Sequence, residues 1–306
     1  MQGSASTTTA VALLVGTGSL IGATFPLGKL AAQAGVTPAA WAWSMATGGG
    51  LLLLAWALAT GRTVPVGARH LRYYLVAAAT SFVAPNLLIF SAIPRLGAGL
   101  TSVMLALSPV LTLAFSALAG LRRPGRFGVA GIVVGLAGAL TVALSRGEVG
   151  RPADPAWVAL ALLIPVFLAA GNVYRTVDWP EGADPLALAA GSNLGAAGML
   201  LAATLAFDGP AGIASLANAP ALVAVQAASN AAMLALFFRL QQAGGPVFLS
   251  QIGYVAAAVG LASGTALLGE RYPAATWAGA LVAVVGVALV TAASSRAGSR
   301  DARPGG

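Results

Sequence analysis

Long apolar runs restrict the fold of this chain more than any other feature of its sequence. Ten such runs lie near residues 9–33, 38–60, 71–93, 98–121, 127–146, 156–178, 185–207, 219–241, 246–269 and 274–294. A run of about 20 apolar residues is long enough to cross the hydrocarbon core of a bilayer as a helix. The runs lack the alternation of strands, so we predict an all-α membrane protein with ten transmembrane helices.

The composition excludes several classes of protein. Only 8% of the residues are charged and the mean hydropathy is +0.87, whereas soluble domains carry about 25% charged residues. The sequence has no cysteine, which excludes a disulfide framework and thiol chemistry. The first run is too long for the core of a signal peptide, so we expect it to be retained as a helix.

The basic residues predict the orientation in the membrane. If the N-terminus is cytoplasmic, 11 of the 16 basic residues lie on the cytoplasmic side: Arg62, Arg69, Arg72, Arg122, Arg123, Arg126, Arg175, Arg239, Arg296, Arg300 and Arg303. The other five are Lys29, Arg95, Arg146, Arg151 and Arg271. Because Lys and Arg are enriched in cytoplasmic loops, we expect both termini to be cytoplasmic. This explains the net charge of +8 without a nucleic-acid partner.

The joints between runs carry turn and capping residues. Thr37-Pro38 and Asp184-Pro185 are each typical of an N-cap followed by proline at the first helical position. Turns are predicted at 94–97, at 122–126 and at Gly244-Gly245-Pro246. We expect the polar tail 295–306 to be disordered in the cytoplasm.

The two halves of the chain resemble each other. Pro38, Phe90 and Gly97 correspond to Pro185, Phe237 and Gly244 at an offset of 147, and Gly131 and Gly138 correspond to Gly279 and Gly286 at an offset of 148. Each half, 9–146 and 156–294, therefore holds five spans. Five is odd, so the second half must enter the membrane inverted. Inverted repeats with a site between them are a recurring plan of secondary transporters.

These motifs resemble the drug/metabolite transporter superfamily in its ten-helix form with two EamA-type units. The second unit carries the likeness in Tyr254-Val255, in Leu267-Leu268-Gly269-Glu270-Arg271 and in the glycines from Gly279 to Gly286. The first unit carries it in Ser108-Pro109-Val110 and from Gly131 to Gly138. The likeness covers the chain from Thr9 to Ala293.

The resemblance implies an inner-membrane carrier in bacteria that exports small organic solutes, most readily amino acids, through a central cavity by alternating access. General likeness favours the amino-acid exporters, including the aromatic amino-acid exporter. The alternative within the same fold is efflux of drugs or other metabolites. Three positions depart from the family pattern: Arg122 replaces an acidic residue, Ala256-Ala257 stands where a proline is usual, and Ser44 lies where many members have an arginine.

Polar residues inside the spans are the candidates for substrate binding, because burying a polar group without a partner costs about 1–3 kcal/mol. The candidates are Ser44, Ser81, Asn86, Asn172, Asn193, Ser250, Gln251 and Tyr254. Pro85 removes a hydrogen bond beside Ser81 and Asn86, a common way to line a cavity. Alternatives remain open: Asn86 and Asn193 could bind helices together, Tyr254 could pack in the core, and Gly48-Gly49-Gly50 could be a hinge or a close contact.

Charged residues within the spans are few. Lys29, Arg175 and Arg239 lie near predicted helix ends, so we expect their side chains to reach the interface. Asp178 is predicted to pair with Arg175, and Glu270 to pair with Arg271 or to cap the last helix. Glu270, Asp178 and His70 are the candidates for coupling or gating, but none lies at mid-span. We therefore expect facilitated diffusion or exchange without a proton relay.

Two other classes fit less well. An intramembrane enzyme would need paired aspartates, a serine with a histidine, or a zinc site at depth, and the sequence supplies none of these. A non-transporting subunit has no need of inverted repeats. We expect no enzyme activity, no cofactor and no metal, with the lipid bilayer and a small solute as the partners and the oligomeric state left open.

Overall fold

The computed structural model describes residues 7–121, 125–144, 147–148, 151–152 and 154–301. Predictions that involve Arg122, Arg123, Arg146 and residues 302–306 fall outside these ranges, and so does part of the turn at 122–126.

Helices make up nearly all of the described chain. They are α1 (Thr7–Gln33), α2 (Pro38–Ala59), α3 (Ala68–Ala78), α4 (Ala84–Leu96), α5 (Ala98–Val103), α6 (Ser108–Leu118), α7 (Arg126–Leu144), α8 (Pro155–Ala161), α9 (Leu163–Val177), α10 (Pro185–Phe207), α11 (Gly209–Ser215), α12 (Pro220–Ser250), α13 (Ile252–Leu268) and α14 (Ala274–Asp301). A π-helical turn, Ala79–Val83, joins α3 to α4, and 3₁₀ turns occupy Met104–Leu107 and Leu216–Asn218. Two short strands, β1 (Gly147–Glu148) and β2 (Arg151–Pro152), pair antiparallel.

Seven continuous helical segments in the described ranges are long and apolar enough to cross a membrane. They are Thr8–Gln33, Pro38–Ala59, Ala68–Leu96, Ala98–Leu118, Pro155–Val177, Pro185–Phe207 and Pro220–Gln242. Three shorter apolar helices, Gly128–Gly138, Ile252–Leu268 and Ala274–Gly286, lie where the remaining spans were predicted. The chain is therefore an all-helical membrane protein in class, with seven spans supported by length and composition.

The predicted helix starts are confirmed by their caps. The Thr37 hydroxyl accepts a hydrogen bond from the Ala40 N–H at 3.4 Å. The Asp184 carboxylate accepts from the N–H groups of Leu186 and Ala187, at 2.8 and 3.2 Å. These side chains satisfy amides that a helix N-terminus leaves without intrahelical partners.

Two boundaries predicted from the sequence are wrong. No turn forms at Gly244-Gly245-Pro246, because α12 continues through it to Ser250 and the break falls at Gln251. A glycine before a proline has no Cβ to clash with the ring, and unpaired backbone is costly in lipid, so the helix persists. The tail was predicted to be disordered from 295, yet α14 extends to Asp301.

The glycines of the repeat pack against each other. A Cβ at Gly138 would lie closer than 3.0 Å to the backbone of Gly279 and Ala283, and one at Gly286 equally close to the backbone of Gly131 and Gly135. The order of these contacts shows that α7 and α14 run antiparallel. Small residues at this crossing let the two backbones approach closely.

Helix α2 packs against α10 and α12 through the triple glycine. The Asn193 amide donates to the Ala46 carbonyl at 2.8 Å, and the Asn230 amide donates to the Met45 carbonyl at 2.9 Å. A Cβ at Gly49 would collide with the Asn230 amide. Of the two readings left open for the triple glycine, the structure therefore supports the close contact.

Candidate functional site

A cavity of about 90 Å³ lies among the helices, and its walls come from both halves of the chain. The first half contributes α1, α2, the π-helical turn, α4 and the segment around Ser108. The second half contributes α9, α12 and the start of α13. Most of the wall is apolar, including Phe25, Phe82, Ile89 and Phe237. Two of the polar lining residues, Ser81 and Asn172, contact Arg175.

Helix breaks place irregular backbone on this cavity. Pro85 has no N–H to donate to the Ser81 carbonyl four residues earlier, and the chain widens into the π-helical turn there. Pro109 likewise follows the 3₁₀ turn Met104–Leu107, and a third break separates α12 from α13 at Gln251. Non-helical backbone at membrane depth persists where it is buried in protein or lines a cavity.

Arg175 is the charged residue on the cavity wall, and its side chain is 1% exposed. Its Nη1 donates to the Ser81 hydroxyl, its Nη2 to Asn172 Oδ1 at 2.7 Å and its Nε to Gln241 Oε1 at 3.1 Å. The guanidinium carbon lies 4.8 Å from the centre of the Phe237 ring, within the range of a cation–π contact.

Neutral groups alone hold this guanidinium. The ion pairs among the described side chains use Lys29, Arg62 and Arg72 rather than Arg175. Asp178, three residues away, instead accepts from Arg72 Nη2 at 2.6 Å. The predicted Asp178–Arg175 pair and the predicted extension of Arg175 to the interface are therefore both wrong, and the positive charge of the cavity has no carboxylate partner in the described chain.

Four of the predicted substrate-binding residues line the cavity: Ser81, Asn86, Asn172 and Ser250. Ser81 and Asn172 hold Arg175, and the Asn172 amide also donates to the Thr112 hydroxyl at 3.4 Å. Asn86 is partly buried one turn beyond Ser81. The expected role of Pro85 in shaping a cavity agrees with this wall.

The other four predicted residues are not on the cavity wall. Ser44 is buried and donates to the Trp41 carbonyl at 2.9 Å, and Asn193 joins α10 to α2. Gln251 is fully buried at the break between helices. Tyr254 is buried against α7, where a Cβ at Gly135 would meet its ring. These positions fit packing better than contact with a solute in this conformation.

Glu270 lies at the centre of a separate polar cluster, which we call the Glu270 cluster. Its carboxylate, 1% exposed, accepts from Lys29 Nζ, from the Tyr272 hydroxyl and from the N–H groups of Ala98 and Gly99 at 2.9 and 3.1 Å. It therefore caps α5 and pairs with Lys29. The sequence predicted that Glu270 pairs with Arg271 or caps the last helix. These contacts show other partners, so that prediction is wrong.

The Glu270 cluster holds its carboxylate in the ionised form. Burial acts to raise the pKa of Glu270, but the hydrogen bonds from Lys29, Tyr272, Ala98 and Gly99 outweigh it, and the pKa falls below its ordinary value. A carboxylate bound in this way is a structural anchor and a poor proton carrier near neutral pH.

The remaining coupling candidates lie at one end of the bundle. Asp178 follows the last residue of α9 and also accepts from the Tyr174 hydroxyl at 2.6 Å. The His70 ring lies 6.3 Å from that of Tyr74 near the start of α3. Neither residue lines the cavity.

Sequence reasoning missed Arg175 and Gln241 as parts of the site. Arg175 comes near the end of its helix, which is where interfacial arginines are common. Its partners Ser81 and Gln241 are 94 and 66 residues away in the chain, so no local pattern could reveal the cluster. The one available signal was its spacing from Asn172, three residues earlier on the same helical face.

Comparisons with known proteins agree with this architecture. Residues 8–144 match the EamA-like transporter family. The uncharacterized inner membrane transporter YedA of Escherichia coli strain K12 is 28% identical over 252 residues, which cover 79% of this chain and 78% of that protein. YedA of E. coli O157:H7 gives the same values.

A solved crystal structure supports the fold. It covers 91% of this chain and 99% of its own length, with a TM-score of 0.60 and 21% sequence identity. The first half of the chain, residues 8–144, is therefore similar to the EamA-like transporter family, most of the chain resembles an inner membrane transporter of E. coli, and the fold is that of the solved structure.

Proposed function

We propose that this protein exports amino acids by alternating access, with the cavity beside Arg175 as the substrate site. The observation that carries the proposal is a buried guanidinium on a mostly apolar cavity wall, held by neutral groups alone. Removing an ion from water costs several kcal/mol. A substrate carboxylate can offset that cost by a charge-assisted pair, and Arg is well suited to bind one in bidentate fashion.

The rest of the cavity suits a zwitterion with an apolar side chain. Asn86, on the same wall, carries an amide oxygen that can accept from an ammonium group. Phe25, Phe82 and Ile89, which form an apolar part of the wall, carry no charge that would compete with Asn86 for the ammonium group. An amino acid with an apolar side chain could use both the polar groups and the apolar lining. Many members of the family have an arginine where this chain has Ser44. Here Arg175, on a different helix, supplies the positive charge instead.

The size of the cavity favours a small solute. Pockets for drug-sized ligands measure roughly 300–1,000 Å³, and this cavity measures about 90 Å³. That difference supports amino acids over the alternative, a carrier for drugs. The direction of transport, export, rests on the resemblance to exporters.

A ten-span architecture of two inverted repeats, 9–146 and 156–294, is the second part of the proposal. Helices related by the repeat meet antiparallel, as α7 meets α14, which supports a two-fold axis across the helices. Asn193 bonds to Ala46, and the two are separated by 147 residues, the offset of the repeat. Helix α1 also packs against α13 as its counterpart α9 packs against α6.

Transport without a proton relay is the third part. Glu270 is held ionised by Lys29 and Tyr272, and Asp178 is engaged with Arg72. No acidic side chain lines the cavity in the part of the chain that the structure describes. These contacts support facilitated diffusion or exchange.

Uptake by proteoliposomes tests the proposal. Labelled amino acids are offered to the purified protein, with and without an imposed pH gradient, and each flux is compared with protein-free vesicles. We expect saturable flux of apolar amino acids in the absence of the gradient. Flux that requires the gradient contradicts the passive mechanism. If drugs are transported and amino acids are not, the protein is a drug carrier and the proposed substrate class is wrong.

Substitution of Arg175 tests whether the transported substrate binds in the cavity. Arg175→Gln removes the charge and keeps hydrogen-bonding groups, so we expect at least a tenfold loss of flux, the equivalent of about 1.4 kcal/mol. Arg69→Gln is the matched control, because it removes an exposed arginine outside the cavity. Equal flux from the two folded variants would exclude Arg175 from the substrate site.

A further inference from the structure

A second cavity, of about 210 Å³, lies between the end of α2, the start of α10 and α12. We call it the basic groove. Its polar lining comes from Arg62, Arg239 and Gln242, and Trp56 forms part of its wall. It shares no lining residue with the central cavity, so the transport site does not account for it.

One positive charge in the basic groove is left uncompensated. Arg62 Nη1 donates to both oxygens of Asp184, at 3.0 and 2.8 Å, which neutralises that pair. Arg239 is exposed, and no acidic or hydrogen-bonding partner for it occurs among the side chains that the structure describes. Asp184 also caps the N-terminus of α10, which lies at the groove, so the net charge of the groove comes from Arg239. The groove therefore attracts an anion.

A short apolar strip on α2 leads away from the basic groove. It consists of Leu52 and Trp56, which lie one turn apart and are 48% and 45% exposed. Exposed apolar side chains of this kind belong against acyl chains in a membrane protein. Trp beside a basic residue is typical of the level where headgroups meet the hydrocarbon.

We infer that the basic groove binds the phosphate of an anionic phospholipid, with the acyl chains of that lipid on the strip of Leu52 and Trp56. Arg239 holds the phosphate by its charge, and Gln242 supplies a hydrogen-bond donor. Basic pockets between transmembrane helices bind anionic lipid headgroups by this chemistry. A soluble phosphate could use the charges but would leave the apolar strip without a role.

Native mass spectrometry of the full-length protein in neutral detergent tests this inference. Phosphatidylglycerol and phosphatidylcholine are titrated separately against the wild type, Arg239→Gln and the control Arg69→Gln, which removes an exposed arginine outside the groove. Because one basic side chain near an anionic surface contributes about 1 kcal/mol, Arg239→Gln is expected to bind phosphatidylglycerol about fivefold more weakly. Thermal unfolding without lipid checks that both variants are folded.

The inference requires that the wild type and Arg69→Gln prefer phosphatidylglycerol to phosphatidylcholine and that Arg239→Gln loses most of this preference. Equal binding of the two lipids by the wild type, or an unchanged preference in Arg239→Gln, would overturn it. Inorganic phosphate is added in a separate arm at the lipid concentration. If it displaces the lipid, the groove is a site for soluble anions and the assignment to a lipid is wrong.

Discussion

The carboxylate of Glu270 connects three distant parts of the chain. It pairs with Lys29 of α1, accepts from Tyr272, and caps α5 through Ala98 and Gly99. Breaking a buried ion pair by removing one partner costs about 3–5 kcal/mol, because the other charge is left unpaired. Lys29 retains some contact with solvent, which lowers the expected cost.

Replacement of this carboxylate is therefore expected to destabilise the protein. Glu270→Gln should lower the free energy of unfolding at neutral pH by roughly 2–3 kcal/mol, measured by thermal unfolding in detergent. Arg271→Gln is the matched control, since Arg271 is adjacent, exposed and outside the Glu270 cluster. An equal loss from both variants would show that the cluster contributes nothing specific.

The pH dependence of stability gives a second check at this residue. The folded-state pKa of Glu270 lies below its ordinary value of about 4.5. Its contribution is therefore fully present above that pH and is lost as the pH falls through the lowered folded-state pKa. We expect the stability difference between wild type and Glu270→Gln to be constant from pH 6 to 8 and to shrink below pH 4.5. A difference that grows on acidification contradicts this assignment.

Individual residues differ in how well the sequence predicts them. Asn172 and Ser81 were found because a polar side chain within an apolar run is conspicuous wherever it falls. Arg175 was misplaced because the same pattern describes an interfacial arginine and a buried one. The difference between them is a set of tertiary contacts with Ser81 and Gln241. The pairing of Glu270 with Lys29, across 241 residues, is invisible for the same reason.

Among the elements, the α7–α14 pair is held together by close backbone contact at glycines. A Cβ at Gly138 would lie against main-chain atoms of α14, which cannot rotate away as a side chain can. The spacing of these glycines indicated the repeat, and the structure shows that they contact each other across it. Gly244-Gly245-Pro246 also predicted a turn, yet α12 continues through it. A break there would leave backbone groups unpaired in lipid, which is costly.

Substitution at this crossing is expected to separate the helices. Gly138→Ala should destabilise the protein by about 1–3 kcal/mol through overpacking, as measured by thermal unfolding. Gly198→Ala in α10 is the matched control, because a Cβ there meets nothing within 4 Å. The control is expected to be neutral or slightly stabilising, since alanine favours helix. An equal change in stability from the two substitutions would show that the close contact between α7 and α14 does not stabilise the protein.

For the whole molecule, the predicted spans and the distribution of basic residues together predict which side of the membrane each loop faces. The sequence lacks cysteine, so single cysteines can be introduced without a background. Glu181 and Ala217 are exposed and lie on either side of α10, on opposite faces in the proposed topology. A membrane-impermeant maleimide should label Ala217→Cys in intact cells and label Glu181→Cys only after permeabilisation. The reverse pattern would invert the predicted orientation, and labelling of both in intact cells would contradict the span between them.

In the proposed mechanism the carboxylate of the substrate binds at Arg175, and competition between matched compounds tests this binding. Proteoliposomes with wild type or Arg175→Gln are offered a labelled apolar amino acid together with an excess of either the unlabelled amino acid or the amine that lacks its carboxylate. We predict that the amino acid inhibits wild-type uptake, that the amine does not, and that Arg175→Gln loses this discrimination. Equal inhibition of the wild type by both compounds would contradict the account.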